Sequence, residues 1–143
     1  MTRFVVDASV AVKWFLPEDY TEAARELLGG GFDLAAPDLV RAEVGNVMWK
    51  RWRRGEVSAE VAHEALCDLE RLPLRIETAE PLVTTAWVVS ERFDRSFYDG
   101  LYVALAVQTD CALVTADRKL YHAMAGSDLD EHLVWVEDPG SST

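Results

Sequence analysis

The chain has 143 residues, is 50% hydrophobic and carries a formal net charge of −11 at pH 7. This length and apolar content predict one compact domain that buries about two thirds of its unfolded surface. The negative charge argues against broad, sequence-independent attraction to nucleic acid, which normally needs a basic face. Two cysteines are too few for a disulfide framework, and the sequence shows neither a signal-peptide core nor an apolar run of membrane-spanning length. We therefore expect a soluble, cytoplasmic protein.

Short apolar runs alternate with helical patterns along the chain. Strands are predicted at 4–6, 32–36, 74–77, 111–115 and 133–136. Helices are predicted from Ser9 as N-cap to Pro17, over 21–28, from Pro37 or Asp38 to about Arg54, after the cap Ser58, over 78–92, over 98–108 and over 117–123. This order predicts an α/β fold with a mostly parallel sheet of about five strands, covered by helices on both faces. We expect one domain over residues 1–138 and a frayed tail over 139–143.

Four acidic residues stand at unusual places in this pattern. Asp7 closes the first strand, Asp117 follows the fourth, Asp99 opens an apolar helix, and Glu43 interrupts the apolar stripe of the long helix. Ligand sites of parallel sheets lie at the carboxyl ends of the strands, so Asp7 and Asp117 meet there if their strands are adjacent. Carboxylates gathered in this way repel one another unless a cation holds them, and oxygen ligands favour Mg²⁺ or Mn²⁺.

Each of these residues also has a purely structural explanation. Asp117 can be a helix N-cap, and Asp99 lies in a first helical turn, where the dipole favours an anion. Asp7 can form a turn after its strand, and Glu43 can form a buried ion pair with Lys13 or an arginine.

Three polar neighbours fit a second shell around the carboxylates, namely Ser9, Asn46 and Thr115. Each also has a purely local explanation. Ser9 can be an N-cap, Asn46 can be a helix residue whose amide is hydrogen-bonded locally, and Thr115 can simply favour a strand.

Basic residues concentrate near the end of the long helix, at Lys50, Arg51, Arg53 and Arg54. This run and Lys13 can contact an RNA backbone. Most such runs, however, are solvated helix ends, and Lys13 can instead be a salt-bridge partner of an acid. Trp14, Trp49, Trp52 and Trp87 are more large aromatics than a small core needs, so we expect some to bury against a second copy or another protein.

Four segments resemble the acidic motifs of PIN-domain ribonucleases, and most closely those of VapC toxins from bacterial and archaeal toxin–antitoxin systems. They are VVDASV at 5–10, EVGN at 43–46, YDGLYVALA at 98–106 and LVTADRKL at 113–120. The resemblance covers nearly the whole chain. Gly100 stands where relatives often carry Ala, which costs the helix up to about 1 kcal/mol.

This resemblance implies a PIN-like domain, a homodimer and a cognate VapB-like antitoxin that lies across the active site. It also implies an Mg²⁺- or Mn²⁺-dependent endoribonuclease in which Asp7, Asp99 and Asp117 bind the metal and Glu43 is a ligand or a water-orienting base. The alternative is a non-catalytic interaction module whose carboxylates only cap helices and form ion pairs. A nuclease acting on DNA or a phosphatase is a weaker third hypothesis.

Overall fold

The computed structural model describes residues 1–141, so the last two residues of the expected tail lie outside the described part of the chain. The strands are β1 (Arg3–Val6), β2 (Asp33–Pro37), β3 (Leu74–Glu77), β4 (Ala112–Thr115) and β5 (Leu133–Trp135). The helices are α1 (Ala8–Ala11), α2 (Thr21–Gly29), α3 (Leu39–Arg53), α4 (Ala59–Arg71), α5 (Val83–Phe93), α6 (Phe97–Gln108) and α7 (Arg118–Met124). None of the helices within residues 1–141 is long and apolar enough to cross a membrane.

The five strands form one parallel sheet in the order β3-β2-β1-β4-β5. Every residue of β4 and all but the first of β1 are buried, as expected for strands that are covered on both faces. Helix α6 packs against β1, β2 and β4, and six consecutive residues from Leu101 to Ala106 are buried in it. The predicted α/β fold is confirmed, and β1 and β4 are adjacent, which is the condition for Asp7 and Asp117 to meet.

Helices α5 and α6 approach each other closely at Gly100. A Cβ at this position would lie 2.4 Å from Ser90 Oγ and 2.5 Å from the Ala86 carbonyl oxygen. Real Cβ atoms do not come so close to backbone, so the two helices need a glycine here to keep their spacing. Gly100 thus has a packing role beside the helix-propensity cost expected from the sequence, because it sets the spacing of the helix that carries Asp99.

Two local predictions are corrected. The N-cap of α1 is Asp7, whose carboxylate accepts a hydrogen bond from the Val10 N–H. Ser9 is not the cap, because it lies inside the helix and its hydroxyl donates to Asp7. The helix expected from Thr78 begins at Val83, after a 3₁₀ turn over Glu80–Leu82 that contains a proline.

The indole of Trp14 belongs to the core and not to a protein-binding surface. It is 6% exposed, and its N–H donates to the Ala24 carbonyl at 2.8 Å. Trp49, Trp52 and Trp87 are 52%, 47% and 61% exposed, which leaves these three as candidates for burial against a partner.

Candidate functional site

A cleft of about 300 Å³ opens at the carboxyl end of the strands and contains all four acidic residues. Its lining residues are Asp7, Ala8, Ser9, Val12, Lys13, Glu18, Glu43, Val47, Arg51, Asp99, Tyr102 and Asp117. They come from separate parts of the chain, so the topology of the sheet brings together residues that are distant in sequence. The expected meeting of the carboxylates at one sheet edge is therefore observed.

Asp7 is the most deeply held of the four. Its Oδ1 accepts hydrogen bonds from the Ser9 hydroxyl at 2.5 Å and the Val10 N–H at 3.2 Å, and its Oδ2 accepts from the Thr115 hydroxyl at 2.5 Å. The pairing of β1 with β4 places Thr115 beside Asp7. Burial raises the pKa of Asp7 to about 6, and the hydrogen bonds reduce this rise. Asp7 is therefore a helix cap and a wall of the cleft at once.

Asp117 uses its two carboxylate oxygens differently. Oδ1 caps α7 by accepting from the backbone N–H groups of Lys119 at 2.9 Å and Leu120 at 3.3 Å. Oδ2 lies 3.6 Å from Arg95 Nη2, and the same nitrogen lies 3.1 Å from Asp99 Oδ2. Burial raises the pKa of Asp99, the Arg95 guanidinium opposes this effect, and Asp117 adds to it.

Glu43 enters the cleft from α3 and faces Tyr102 of α6. Glu43 Oε1 and the Tyr102 hydroxyl oxygen are both buried, and neither makes a hydrogen bond of good geometry among the described residues. The Tyr102 hydroxyl is nevertheless close enough to favour the ionised carboxylate, which acts to lower the pKa of Glu43. Burial raises the pKa of Glu43, and the charge of Asp99 contributes. No ion pair joins Glu43 to Lys13 or an arginine within residues 1–141, so a buried acceptor is left that a cation or water would satisfy.

Two cations border the cleft and share one acid. Lys13 Nζ lies 2.8 Å from Glu18 Oε1, and the guanidinium of Arg51 contacts Glu18 Oε2. Arg51 also lies 3.5 Å from Glu56. The salt bridge anticipated for Lys13 is thus formed with Glu18 and not with one of the four cleft carboxylates of the acidic motifs.

Other expected residues lie farther out. Asn46 is exposed and makes no side-chain hydrogen bond within residues 1–141, so the structure gives it no contact with the carboxylates. Lys50 and Arg54 are exposed, and Arg53 stacks over the Trp49 ring at 5.3 Å. The basic run is therefore divided, because successive helical residues point in different directions and only Arg51 of the run faces the cleft.

Three residues that shape the site were not predicted from the sequence, namely Glu18, Arg95 and Tyr102. Helical spacing could have revealed Tyr102, because it follows Asp99 by three residues in the same helix. Arg95 lies before that helix begins, so no helical pattern marks it. Glu18 lies in an irregular segment after Pro17, and no periodic signal marks it.

The carboxylates do not form a ready-made metal centre. No three histidine, cysteine, aspartate or glutamate side chains in the described part of the chain are close enough to bind one ion as they stand. Arg95 occupies the space next to Asp99 and Asp117, and hydrogen bonds hold Asp7 against β4.

Both the sequence and the fold of the chain are similar to those of known proteins. The model of the PIN domain family matches residues 4–125. Ribonuclease VapC3 from Pyrobaculum aerophilum is 31% identical over 120 residues, which cover 82% of this chain and 92% of that protein. The crystal structure of PAE2754 from the same organism has a TM-score of 0.71 at 25% identity, with 95% of this chain and 90% of that chain covered.

A toxin–antitoxin complex from Klebsiella pneumoniae has a TM-score of 0.61 at 15% identity and covers 92% of this chain and 95% of that chain. At this identity the likeness concerns the fold alone. The family match spans most of the chain and includes the segments that carry Asp7, Glu43, Asp99 and Asp117. The chain therefore belongs to the PIN domain family and, within it, to the group of the VapC ribonucleases.

Proposed function

We propose that the protein is a VapC-type endoribonuclease toxin that hydrolyses RNA phosphodiester bonds with the help of Mg²⁺ or Mn²⁺. The observation that carries this proposal is the convergence of Asp7, Glu43, Asp99 and Asp117 on one cleft, where Glu43 Oε1 is buried without a hydrogen bond of good geometry within residues 1–141. The ribonuclease relative supports RNA as the substrate.

The residues of the cleft fit a hard divalent cation, because they offer carboxylate oxygens and no soft ligand. Asp7, Asp99 and Asp117 would hold the ion, and Glu43 would be a further ligand or the base that orients the attacking water. Such an ion, when bound, supplies a water that ionises near neutral pH and stabilises negative charge on the phosphate oxygens.

The surrounding side chains prepare the carboxylates for this task. Ser9 and Thr115 each hold one carboxylate oxygen of Asp7 by a hydrogen bond, so the orientation of Asp7 does not depend on a ligand. The raised pKa of Glu43 brings this carboxylate closer to the range in which it can accept a proton from water. The protein needs no nucleophile of its own.

The border of the cleft provides positive charge for the RNA backbone. We propose that Lys13 and Arg51 contact phosphates, since both lie at the cleft. Lys50, Arg53 and Arg54 continue along α3 and would contact a longer RNA. The chain as a whole carries a net charge of −11, which would favour binding confined to this border.

We further propose a homodimer and a VapB-like antitoxin as partners. Exposed tryptophans on α3 and α5 support protein binding, because large aromatic rings are enriched in interfaces. The fold is also similar to that of a chain in the toxin–antitoxin complex from Klebsiella pneumoniae. A cytoplasmic location agrees with the two free cysteines and stays a prediction.

Cleavage assays on single-stranded and loop-containing RNA test the proposal. The purified, antitoxin-free protein should cleave RNA with Mg²⁺ or Mn²⁺ and should stop in EDTA, whereas Zn²⁺ should substitute poorly. Undiminished cleavage in excess chelator would exclude the metal-dependent mechanism. Sequencing the fragments would identify the cleavage site.

A non-catalytic interaction module is the second candidate, and a specific observation favours it: Asp7 and Asp117 do cap helices. Glu43 and Asp99, however, use no carboxylate oxygen for a cap. Metal titration separates the two hypotheses, because a metal site gains stability from Mn²⁺ by mass action and a set of caps does not. Thermal melting with and without Mn²⁺ measures this difference.

A further inference from the structure

Arg95 places a positive charge between two carboxylates of the cleft. Its Nη2 lies 3.1 Å from Asp99 Oδ2 and 3.6 Å from Asp117 Oδ2, and its Nε donates to the same Asp99 oxygen at 3.2 Å. The two acids belong to different elements, since Asp99 lies in α6 and Asp117 precedes α7. One guanidinium thus offsets part of the negative charge of both acids.

The surroundings of Arg95 hold it in place. The side chains of Arg95 and Asp99 are each 22% exposed, so this pair is shielded from water more than ordinary surface ion pairs are. Arg95 lies in the short connection from α5 to α6, and its backbone N–H bonds to the Ser90 carbonyl at 3.3 Å. The neighbouring Arg92 provides a contrast, because it pairs with Asp128 on the open surface and touches neither acid.

The oxygens that Arg95 contacts are those that a metal ion would need. Asp117 Oδ1 is engaged in capping α7, which leaves Oδ2 as its oxygen toward the cleft. A divalent cation and a guanidinium cannot both lie against Asp99 Oδ2 and Asp117 Oδ2 without strong repulsion between the two cations.

We propose that Arg95 is a built-in counter-cation that competes with the divalent metal for Asp99 and Asp117. This inference rests on the proposed function. In the metal-free protein the guanidinium holds two otherwise repelling carboxylates together, and metal binding requires it to leave Asp117. Arg95 is therefore a positioning residue that weakens metal affinity while it keeps the empty site ordered.

Isothermal titration of the EDTA-treated, dialysed full chain with Mn²⁺ tests this role. Arg95→Gln should bind Mn²⁺ on the order of tenfold more tightly than the parent, because a competing charge is removed. Arg92→Gln is the matched control and should bind like the parent. Arg95→Lys keeps the charge and should lie closer to the parent than Arg95→Gln does.

Thermal melting supplies a readout independent of activity. Arg95→Gln should melt at a lower temperature than the parent in EDTA. Addition of Mn²⁺ should raise its melting temperature more than it raises that of the parent. A purely structural arginine would lower both melting temperatures equally, which would overturn the proposal. If Arg95→Gln does not fold, Arg95→Met, which keeps an apolar stem, replaces it in both measurements.

Equal or weaker Mn²⁺ binding by the folded Arg95 variants would overturn the competition, even if the parent cleaves RNA with Mn²⁺. Failure of every variant to bind Mn²⁺ would overturn both this inference and the metal-dependent function. The titration therefore separates an error about Arg95 from an error about the reaction.

Discussion

Single carboxylates in this protein carry structural and chemical roles on different atoms. Asp117 caps α7 with Oδ1 and faces Arg95 with Oδ2, while Asp7 caps α1 and accepts the Thr115 hydroxyl from the neighbouring strand. The structural and functional explanations of these residues therefore do not exclude each other. A neutral amide can replace the cap but not the charge, which makes the two roles separable by experiment.

The first prediction concerns Asp7→Asn. It should abolish RNA cleavage while the metal-free protein stays as stable as the parent or becomes more so. The pKa of about 6 in the folded protein lies above the usual 3.8, so ionisation of Asp7 opposes folding. The free energy of unfolding of Asp7→Asn should equal that of the parent below pH 4 and exceed it increasingly between pH 4 and 6. Above pH 6 the difference should level off at no more than about 3 kcal/mol.

Urea unfolding of both proteins in EDTA across this pH range measures the difference. Asp19→Asn, which removes a carboxylate at an exposed position, serves as the matched control. A cooperative loss of folding in Asp7→Asn at pH 7 would mean that the charge of Asp7 is needed for the fold, and would favour the interaction module.

The second prediction concerns the cations along α3. Arg51→Gln should lower RNA affinity by about three- to tenfold for all sequences and reduce the salt slope by about one, because a phosphate contact is lost. Arg54→Gln should have a smaller effect, since Arg54 does not line the cleft. Fluorescence anisotropy at several salt concentrations measures both. Equal effects of the two substitutions would contradict a path through the cleft border.

At the scale of elements, the third prediction concerns two helical glycines. Gly100→Ala should destabilise the protein by about 1 to 3 kcal/mol, because its Cβ would collide with the backbone of α5. Gly45→Ala is the matched control. Its Cβ would meet Leu66 at an ordinary 3.9 Å, so helix propensity should dominate and stability should rise by up to about 1 kcal/mol. Denaturant unfolding measures both, and a stabilised Gly100→Ala would refute the close approach of α5 and α6.

Much of the architecture could be predicted because most strands are short apolar runs bounded by turn residues, and β3 alternates apolar and charged residues. The positions of Asp7 and Asp117 followed from parallel strand pairing. The local details could not be predicted, because they depend on contacts across the fold. Ser9 was an equally good cap by residue type, but its hydroxyl lies near Asp7 and the Ala116 N–H of a distant segment. Arg95 was missed for the same reason, since Asp117 is far from it in sequence.

At the scale of the whole molecule, the fourth prediction concerns association. Trp87 on α5 and Trp49 on α3 are exposed on different helices, and each can contribute to a separate interface. Trp87→Ser and Trp49→Ser should therefore affect self-association and antitoxin binding to different extents. Light scattering measures self-association, and titration with the VapB-like antitoxin measures antitoxin binding. A strict monomer at micromolar concentration that also fails to bind this antitoxin would contradict the prediction.

The use of carboxylates as caps also has a genetic consequence. In a selection for cells that survive expression of the gene without an antitoxin, substitutions of Asp7 or Asp117 by apolar residues remove a helix cap together with the charge. Survivors with such apolar substitutions should contain less folded protein than survivors in which the carboxylate is replaced by its amide, because the amide keeps the cap. Glu43 and Asp99 cap no helix with their side chains, so survivors altered there should accumulate a folded, harmless protein. Such a protein would still sequester antitoxin, and a second, intact copy of the toxin in the same cell would become more active.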